Sequence, residues 1–159
     1  MAQRERILKY LSKNDITNTI ILSGDSHATW VSDLPLSLDS YDAASGNGSI
    51  AVEFAGSAVS SPSSYGYRPD REDAWYVEVA DGFTQSNPQL HFAEGNLRGY
   101  YELELTPNSA TADFYGFVDN YNQRTNETVA IVSLTTEAGS GKLSRPLNGG
   151  NNVTYGSLR

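Results

Sequence analysis

The spacing of apolar residues predicts a short helix at the start of the chain, followed by strands. From Gln3 to Lys13 the apolar residues fall on one helical stripe, which is typical of an amphipathic helix. Thr17 to Ser23 is rich in β-branched residues and predicts a strand buried near its carboxyl end. The dipeptide Gly24-Asp25 then predicts a turn.

Alternation of residues predicts three further strands, and β-branched composition predicts a fourth. Ile50 to Ala55 has the period of two expected of a strand with one buried face. Gly99 to Leu105 and Ala110 to Val118 alternate in the same way, and Pro107-Asn108-Ser109 between them predicts the turn of an antiparallel hairpin. Thr128 to Thr135 is a strongly β-branched strand candidate.

Weaker patterns predict the remaining segments. Leu36 to Ser49 is rich in small and polar residues and predicts a long surface loop. We expect a helix from Arg71 to Val79, a short strand from Gln89 to Phe92 and an edge strand from Leu143 to Pro146. Asn148 to Arg159 is rich in Gly and Asn and is expected to be a loosely ordered tail.

Composition limits the functions that this chain can have. Its 159 residues suit one domain, and its net charge of -8 argues against binding to nucleic acid or to anionic membranes. A phosphate ester would also be repelled unless bound cations reversed the field, so any phosphoesterase function requires metal. The absence of cysteine excludes thiolate catalysis, and no apolar run is long enough to cross a bilayer.

The segment from Gly24 to Trp30 contains the sharpest chemical pattern. In an extended backbone, residues two apart point the same way, so Asp25 and His27 could reach one metal centre. A carboxylate and an imidazole suit Mn, Fe, Zn or a pair that contains Ca. The alternative is structural: Asp25 could cap a helix from Ala28 to Leu34, with His27 as a packing or surface residue.

Ile20 to Trp30, which contains Gly24-Asp25-Ser26-His27, resembles the final metal-binding motif of PhoD-like alkaline phosphatases. Those proteins have Gly-Asp-x-His where most calcineurin-like phosphoesterases have Gly-His-x-His. Further segments occur in the order and rough spacing of that family, and the resemblance runs from about residue 3 to about residue 146. These segments are Val52 to Ser57, Ser60-Ser61-Pro62, Asn87-Pro88 with Leu90, and Arg98-Gly99-Tyr100.

The resemblance implies a fold and an activity. The expected fold is α+β: residues 1–147 would form the carboxy-terminal part of a four-layer α/β/β/α metallophosphoesterase sandwich, β-rich with antiparallel strands, and residues 148–159 a tail. The implied activity is metal-dependent hydrolysis of a phosphate ester at a multinuclear site that holds Fe and Ca, with Mn or Zn as alternatives. Asp25 and His27 would be metal ligands, and no catalytic residue is assigned.

The same family pattern places further metal ligands upstream of the first helix. We therefore expect this chain to be a fragment of a larger hydrolase and to be inactive alone, because two ligands do not complete an open metal site. The rival hypothesis is a non-catalytic β-rich binding module, one form of which would face carbohydrate, with a structural Gly-Asp-Ser-His turn.

Three Asn-x-Ser/Thr acceptors, at Asn47, Asn126 and Asn152, fit passage through a secretory pathway. The parent protein is therefore expected to be secreted or bound at the cell surface, and Met1 to Arg6 are expected to lead into the charged amphipathic helix rather than to form a signal peptide.

Five other polar residues are better explained without catalysis. We expect His91 to be a packing or surface histidine, and Arg98 to be a surface ion-pair partner rather than a phosphate ligand. Glu53 is expected on a solvated strand face. Ser60 and Ser61 lack an adjacent base or a nucleophile elbow.

Overall fold

The strands of the protein form two sheets that pack face to face, with helices on the outside of one of them. The computed structural model describes residues 2–63, 65, 72–118, 125–147 and 153–159. Its helices are α1 (Ala2–Lys13) and α2 (Asp73–Ser86). The first sheet contains β1 (Ile20–Ser23), β2 (Thr29–Pro35), β3 (Ser49–Ala55), β4 (Leu90–Glu94) and β8 (Ser157–Leu158); the second contains β5 (Arg98–Leu105), β6 (Ser109–Phe117) and β7 (Thr128–Glu137).

The topology of the first sheet brings two strand ends together. Its strands are ordered β1-β3-β2-β4-β8, and β1 pairs parallel to β3 whereas the other neighbours are antiparallel. Ser23 at the end of β1 lies opposite Ala55 at the end of β3, and the Gly56 amide donates to the Ser23 carbonyl at 3.0 Å. The segments that leave these two strands therefore start side by side at one edge of the sheet.

Apolar side chains from both sheets meet in one core. Residues that alternate along each strand point to opposite faces, so one face of each sheet contributes to it. The rings of Phe54 and Phe114 face each other across the sheets with centroids 6.4 Å apart. The buried members of the core are Val31, Val52, Phe54, Phe92, Ala112, Phe114, Ile131, Val132, Leu134 and Leu143.

Both α-helices cover the opposite face of the first sheet. Leu8 and Leu11 of α1 pack with Leu34 and Ala51, and Ala80 of α2 packs with its own set, Leu90 and Ala93. Ala51 and Ala93 are each adjacent to a residue of the inter-sheet core, so they point away from it. The described residues thus supply helix, sheet and sheet layers, which confirms the predicted mixed, β-rich fold with antiparallel sheets.

The regular patterns gave correct elements. The amphipathic helix, the strand from Ile50 to Ala55, the hairpin and the β-branched strand are all confirmed as α1, β3, β5 with β6, and β7. The loop prediction for Leu36 to Ser49 holds apart from a 3-10 helix at Leu38–Ser40 and from Ser49, which begins β3. These segments succeed because a single buried face produces a clear period in the sequence.

The less regular predictions needed correction. β1 covers only the second part of Thr17 to Ser23, and Leu22 near its carboxyl end is 54% exposed because β1 is an edge strand. The second helix starts later and runs further than predicted, Asp73–Ser86, and Arg71 lies outside the described residues. The short strand is Leu90–Glu94.

The end of the chain also differs from its prediction. Leu143 forms an isolated bridge with Thr136 where an edge strand was expected up to Pro146. Within the expected tail, residues 148–152 lie outside the described part, whereas Ser157–Leu158 form β8 against β4. The strand of two residues was too short to show a period.

Two glycines give opposite expectations for the same substitution. A Cβ at Gly99 would lie 1.9 Å from the Tyr115 carbonyl oxygen on the neighbouring strand, whereas a Cβ at Gly82 in α2 would meet nothing within 4 Å. We expect Gly99→Ala to destabilise the fold by about 1–3 kcal/mol through overpacking. Gly82→Ala should stabilise it by about 0.5–1 kcal/mol through helix propensity. Urea unfolding of the two variants and the wild type measures these changes in the free energy of unfolding. Equal changes in both variants would contradict the close approach of β5 and β6.

Candidate metal-binding turn

The turn between β1 and β2 contains both predicted metal ligands. Its backbone is not extended, because Asp25 and His27 have φ angles of 70° and 59°. The Ser26 amide donates to the Gly24 carbonyl at 2.9 Å, which closes a three-residue turn around Asp25. The predicted turn at Gly24-Asp25 is therefore present, whereas the extended backbone assumed for Asp25 and His27 was wrong. The helical alternative from Ala28 to Leu34 was wrong too, since β2 begins at Thr29.

The rest of the turn is anchored to the protein. Ala28 and Thr29 are buried, and the Trp30 indole Nε1 donates to the Ser26 Oγ at 2.8 Å. Asp25, by contrast, is exposed. Left-handed φ angles at residues other than glycine cost free energy and persist where the surroundings impose them. The buried residues after His27 supply that restraint.

The imidazole of His27 is oriented by a carbonyl. Its Nδ1 lies 2.9 Å from the Pro62 carbonyl oxygen. Because a carbonyl oxygen can only accept, Nδ1 must carry the hydrogen, and a neutral ring then has its lone pair on Nε2. Metal-binding histidines commonly donate their second ring N–H to a carbonyl in this way. Pro62 belongs to the segment that leaves β3, so the parallel pairing of β1 and β3 creates the contact.

A buried arginine joins this turn to two other segments. Arg98 at the start of β5 is 0% exposed. Its Nη1 donates to the carbonyl oxygens of His27 and Ser61, both at 2.6 Å, and its Nη2 donates to those of Gly95 at 2.8 Å and Asn96 at 3.2 Å. The prediction of a surface ion-pair partner was wrong. The sequence does not predict this burial, because arginine is rarely buried and the acceptors of Arg98 are backbone atoms.

Glu94 is the second buried charged residue beside the turn, and no sequence pattern singled it out. It is 1% exposed, and its Oε1 accepts from the amides of Asn96 and Leu97. Burial raises the pKa of Glu94 to about 7, although these two amides and the charge of Arg98 partly oppose the rise. Its hydrogen bonds hold the bend between β4 and β5. Two carbonyl oxygens that accept from Arg98, those of Gly95 and Asn96, lie in this bend.

The other candidates lie outside this group or have different partners. Glu53 is half-buried rather than on a fully solvated face, and its Oε1 accepts from the Ser23 hydroxyl at 2.7 Å. Ser60 and Ser61 lie in the exposed part of the segment after β3, and Ser61 serves through its carbonyl. Among the described residues, no group of three or more His, Cys, Asp or Glu side chains could hold a metal ion.

His91 is buried, as a packing histidine would be, but in a polar network. Its Nε2 lies 2.6 Å from the Tyr41 hydroxyl and 3.3 Å from Asp33 Oδ2, which also accepts from Arg145 Nη2 at 2.6 Å. Burial favours a higher pKa for Asp33, but the hydrogen bonds from His91, the Leu143 amide and Tyr41, with the charge of Arg145, hold the pKa below its usual value. Asp33 lies four residues along β2 from Thr29, a distance of about 13 Å. This polar network is therefore separate from the turn that precedes Thr29.

The fold and the turn together define an α+β sandwich. Its two candidate ligands follow the end of β1, which is paired with the end of β3. A family model described as PhoD-like phosphatase matches residues 1–114, more than half of the chain. The chain therefore belongs to the PhoD-like phosphatase family. This confirms the resemblance seen in the sequence.

Individual relatives agree with this membership. The chain is 27% identical over 113 residues to alkaline phosphatase D of Bacillus subtilis (strain 168), which covers 71% of this chain and 17% of that protein. It also superimposes on the solved structure of PhoD with a TM-score of 0.65 and 20% identity, over 90% of this chain and 25% of that one. The chain thus spans a quarter or less of the length of these two relatives. Within the described ranges, no helix is long and apolar enough to span a membrane.

The raised pKa of Glu94 predicts a specific pH dependence of stability. Because the folded-state pKa of about 7 exceeds the ordinary value of 4.5, the stability linked to this carboxyl is present below pH 4.5 and is lost as the pH rises through 7. The loss amounts to about 3 kcal/mol by proton linkage. We expect Glu94→Gln to remove this loss, as measured by urea unfolding at pH 5 and pH 8.

Glu102→Gln is the matched control, because it makes the same change on the exposed face of β5. It should retain the pH dependence of the wild type. The free energy of unfolding should fall further from pH 5 to pH 8 in the wild type than in Glu94→Gln. Equal falls in the two proteins would refute the raised pKa.

Proposed function

We propose that this chain contributes the last metal-binding segment of a metal-dependent phosphoesterase site, with Asp25 and His27 as ligands. The observation that carries the proposal is the hydrogen bond from His27 Nδ1 to the Pro62 carbonyl, which leaves Nε2 free to coordinate. Membership of the PhoD-like phosphatase family supports the reaction class.

The chemistry of the two residues fits a metal. Asp25 presents an exposed carboxylate two residues before a histidine whose ring is oriented by the protein. A carboxylate oxygen and an imidazole nitrogen are ligands that Fe, Mn and Zn accept, and the carboxylate also suits Ca. Fe and Ca are the ions that we propose, with Mn or Zn as alternatives. A chain with a net charge of -8 needs such cations to admit a phosphate ester.

Bound metal ions would supply neutralisation of the phosphate charge and activation of a water molecule. The part of this chain in that chemistry is to hold and orient ligands. The three-residue turn around Asp25 and the left-handed backbone of His27 place both side chains after the edge strand β1. The buried Ala28 and Thr29 anchor the end of the turn in the core.

Further ligands are required to complete such a site. Within the described residues, Asp25 and His27 have no third His, Cys, Asp or Glu neighbour suitable for a metal. Relatives of this family are several times longer than the matched segment. We propose that the remaining ligands come from polypeptide outside this chain, and that the chain alone does not hydrolyse phosphate esters. Exposure of Asn47 and Asn126 supports, as a further proposal, a secreted or cell-surface parent.

Metal binding tests the ligand assignment directly. With only two histidines in the chain, 15N-histidine NMR can follow each ring during a Zn2+ titration. We expect the Nε2 signal of His27 to shift and that of the buried His91 to stay in place. Asp25→Ala and His27→Ala should each weaken Zn2+ binding at least about tenfold, measured by calorimetry.

Asp15→Ala is the matched control, because Asp15 is also an exposed aspartate with a positive φ, of 50°. It should bind Zn2+ like the wild type. Absence of any Zn2+ effect on the His27 ring, both in this chain and in a chimera that supplies the remaining ligands, would defeat the ligand assignment and favour the binding-module hypothesis.

Activity is tested by supplying the missing polypeptide. We expect this chain alone to show no hydrolysis of para-nitrophenyl phosphate or its diester above background. A chimera in which this chain replaces the 113 residues it matches in the Bacillus subtilis alkaline phosphatase D should be active. Asp25→Ala in a folded chimera should lower kcat/KM at least about a hundredfold, since metal supplies several kcal/mol of transition-state stabilisation. Full activity of that variant would contradict a role for Asp25.

A further inference from the structure

We propose that Arg98 is a positioning residue for His27: its guanidinium holds the peptide groups on both sides of the His27–Pro62 hydrogen bond. The inference rests on the proposed function only in so far as it concerns metal binding. The first part of the argument is geometric. Arg98 Nη1 donates to the carbonyl of His27 itself and to the carbonyl of Ser61, each at 2.6 Å, and Ser61 directly precedes Pro62.

One guanidinium nitrogen therefore bridges the two segments that the imidazole hydrogen bond also joins. The bonds form a small closed frame: Arg98 fixes the peptide after His27 and the peptide before Pro62, and His27 Nδ1 meets the Pro62 carbonyl at 2.9 Å. Without Arg98, the Ser61 carbonyl would lose this donor, and the His27 carbonyl would keep the Ser57 hydroxyl at 3.4 Å. The ring of His27 would then lose the partner that selects its Nδ1–H form.

The other guanidinium nitrogen makes the frame rigid. Arg98 Nη2 donates to Gly95 and Asn96 in the bend after β4, and the Ser63 hydroxyl donates to the same Gly95 carbonyl at 2.7 Å. The Ser57 hydroxyl adds a bond to the Leu97 carbonyl at 2.9 Å. The turn after β1, the segment after β3 and the bend after β4 thus share one planar cation.

The same bonds argue against direct phosphate binding by Arg98. A guanidinium has four N–H groups on its two Nη atoms, and four carbonyl oxygens accept from them here. The side chain is 0% exposed. Its charge therefore acts through the backbone that it orients.

Arg98→Lys is the informative variant, because it keeps the charge and removes the planar fork. In metal-free protein, 15N-histidine NMR should show His27 as the Nδ1–H tautomer in the wild type and a substantial Nε2–H population in Arg98→Lys. The affinity for Zn2+ should fall about 10- to 100-fold, as is typical when a residue that orients a metal ligand is changed.

Arg145→Lys is the matched control. Among the arginines that the structure describes, Arg145 is the other one that is mostly buried; it also donates to carbonyls, and its Nη2 lies 3.0 Å from His91 Nε2. It should change the signals of His91 and leave the tautomer of His27 as in the wild type. A wild-type His27 tautomer in Arg98→Lys would overturn the proposal, and so would an equal change of His27 in Arg145→Lys.

A measurement on the wild type keeps the test decisive if Arg98→Lys does not fold. Under mild urea, His27 should lose its Nδ1–H tautomer in the same local opening in which the Nη hydrogens of Arg98 lose protection from exchange. Loss of the His27 tautomer while Arg98 stays protected would overturn the proposal. Both the tautomer and the exchange are read without metal, so they remain valid if Zn2+ does not bind and the proposed function fails.

Discussion

The burial of one cation, Arg98, constrains the end of the molecule where the candidate ligands lie. A charged group can leave water only if its donors are satisfied, since an unpaired buried charge costs several kcal/mol. The four carbonyl oxygens around its guanidinium accept from the N–H groups of both Nη atoms. They can do so only when three separate segments hold fixed positions. The two-sheet core fixes these segments, because it places the start of β5 against the ends of β1, β3 and β4.

Two buried carboxyl groups show how differently the same interior treats an acid. Asp33 accepts from a guanidinium, a hydroxyl, an imidazole and a backbone amide, so its pKa stays low despite burial. Glu94 has two backbone amides on one oxygen, and burial raises its pKa to about 7. The first network joins β2, β4 and the chain near Leu143, whereas the second shapes the bend that leads to Arg98. Each carboxyl therefore stabilises a separate part of the fold.

Membership of the PhoD-like phosphatase family gives the candidate turn its context. The matched segment is a small share of the relatives' length, which is consistent with the proposal that the turn supplies only some of the ligands of a metal site. This agrees with the arrangement seen here. Asp25 is exposed beside the edge strand β1, while the backbone behind it is held firmly by buried residues.

The sequence by itself determined the elements with a clear period and the family to which the chain belongs. The helix α1, the strand β3 and the hairpin of β5 and β6 were readable because each buries one face, and Gly24-Asp25-Ser26-His27 identified the family. Tertiary structure alone decided the left-handed backbone of Asp25 and His27, the Pro62 carbonyl as partner of the ring, and the burial of Arg98 and Glu94. These features depend on backbone atoms of segments distant in sequence. Every residue type has a carbonyl oxygen, so no pattern of side chains predicts which carbonyl will accept a given hydrogen bond.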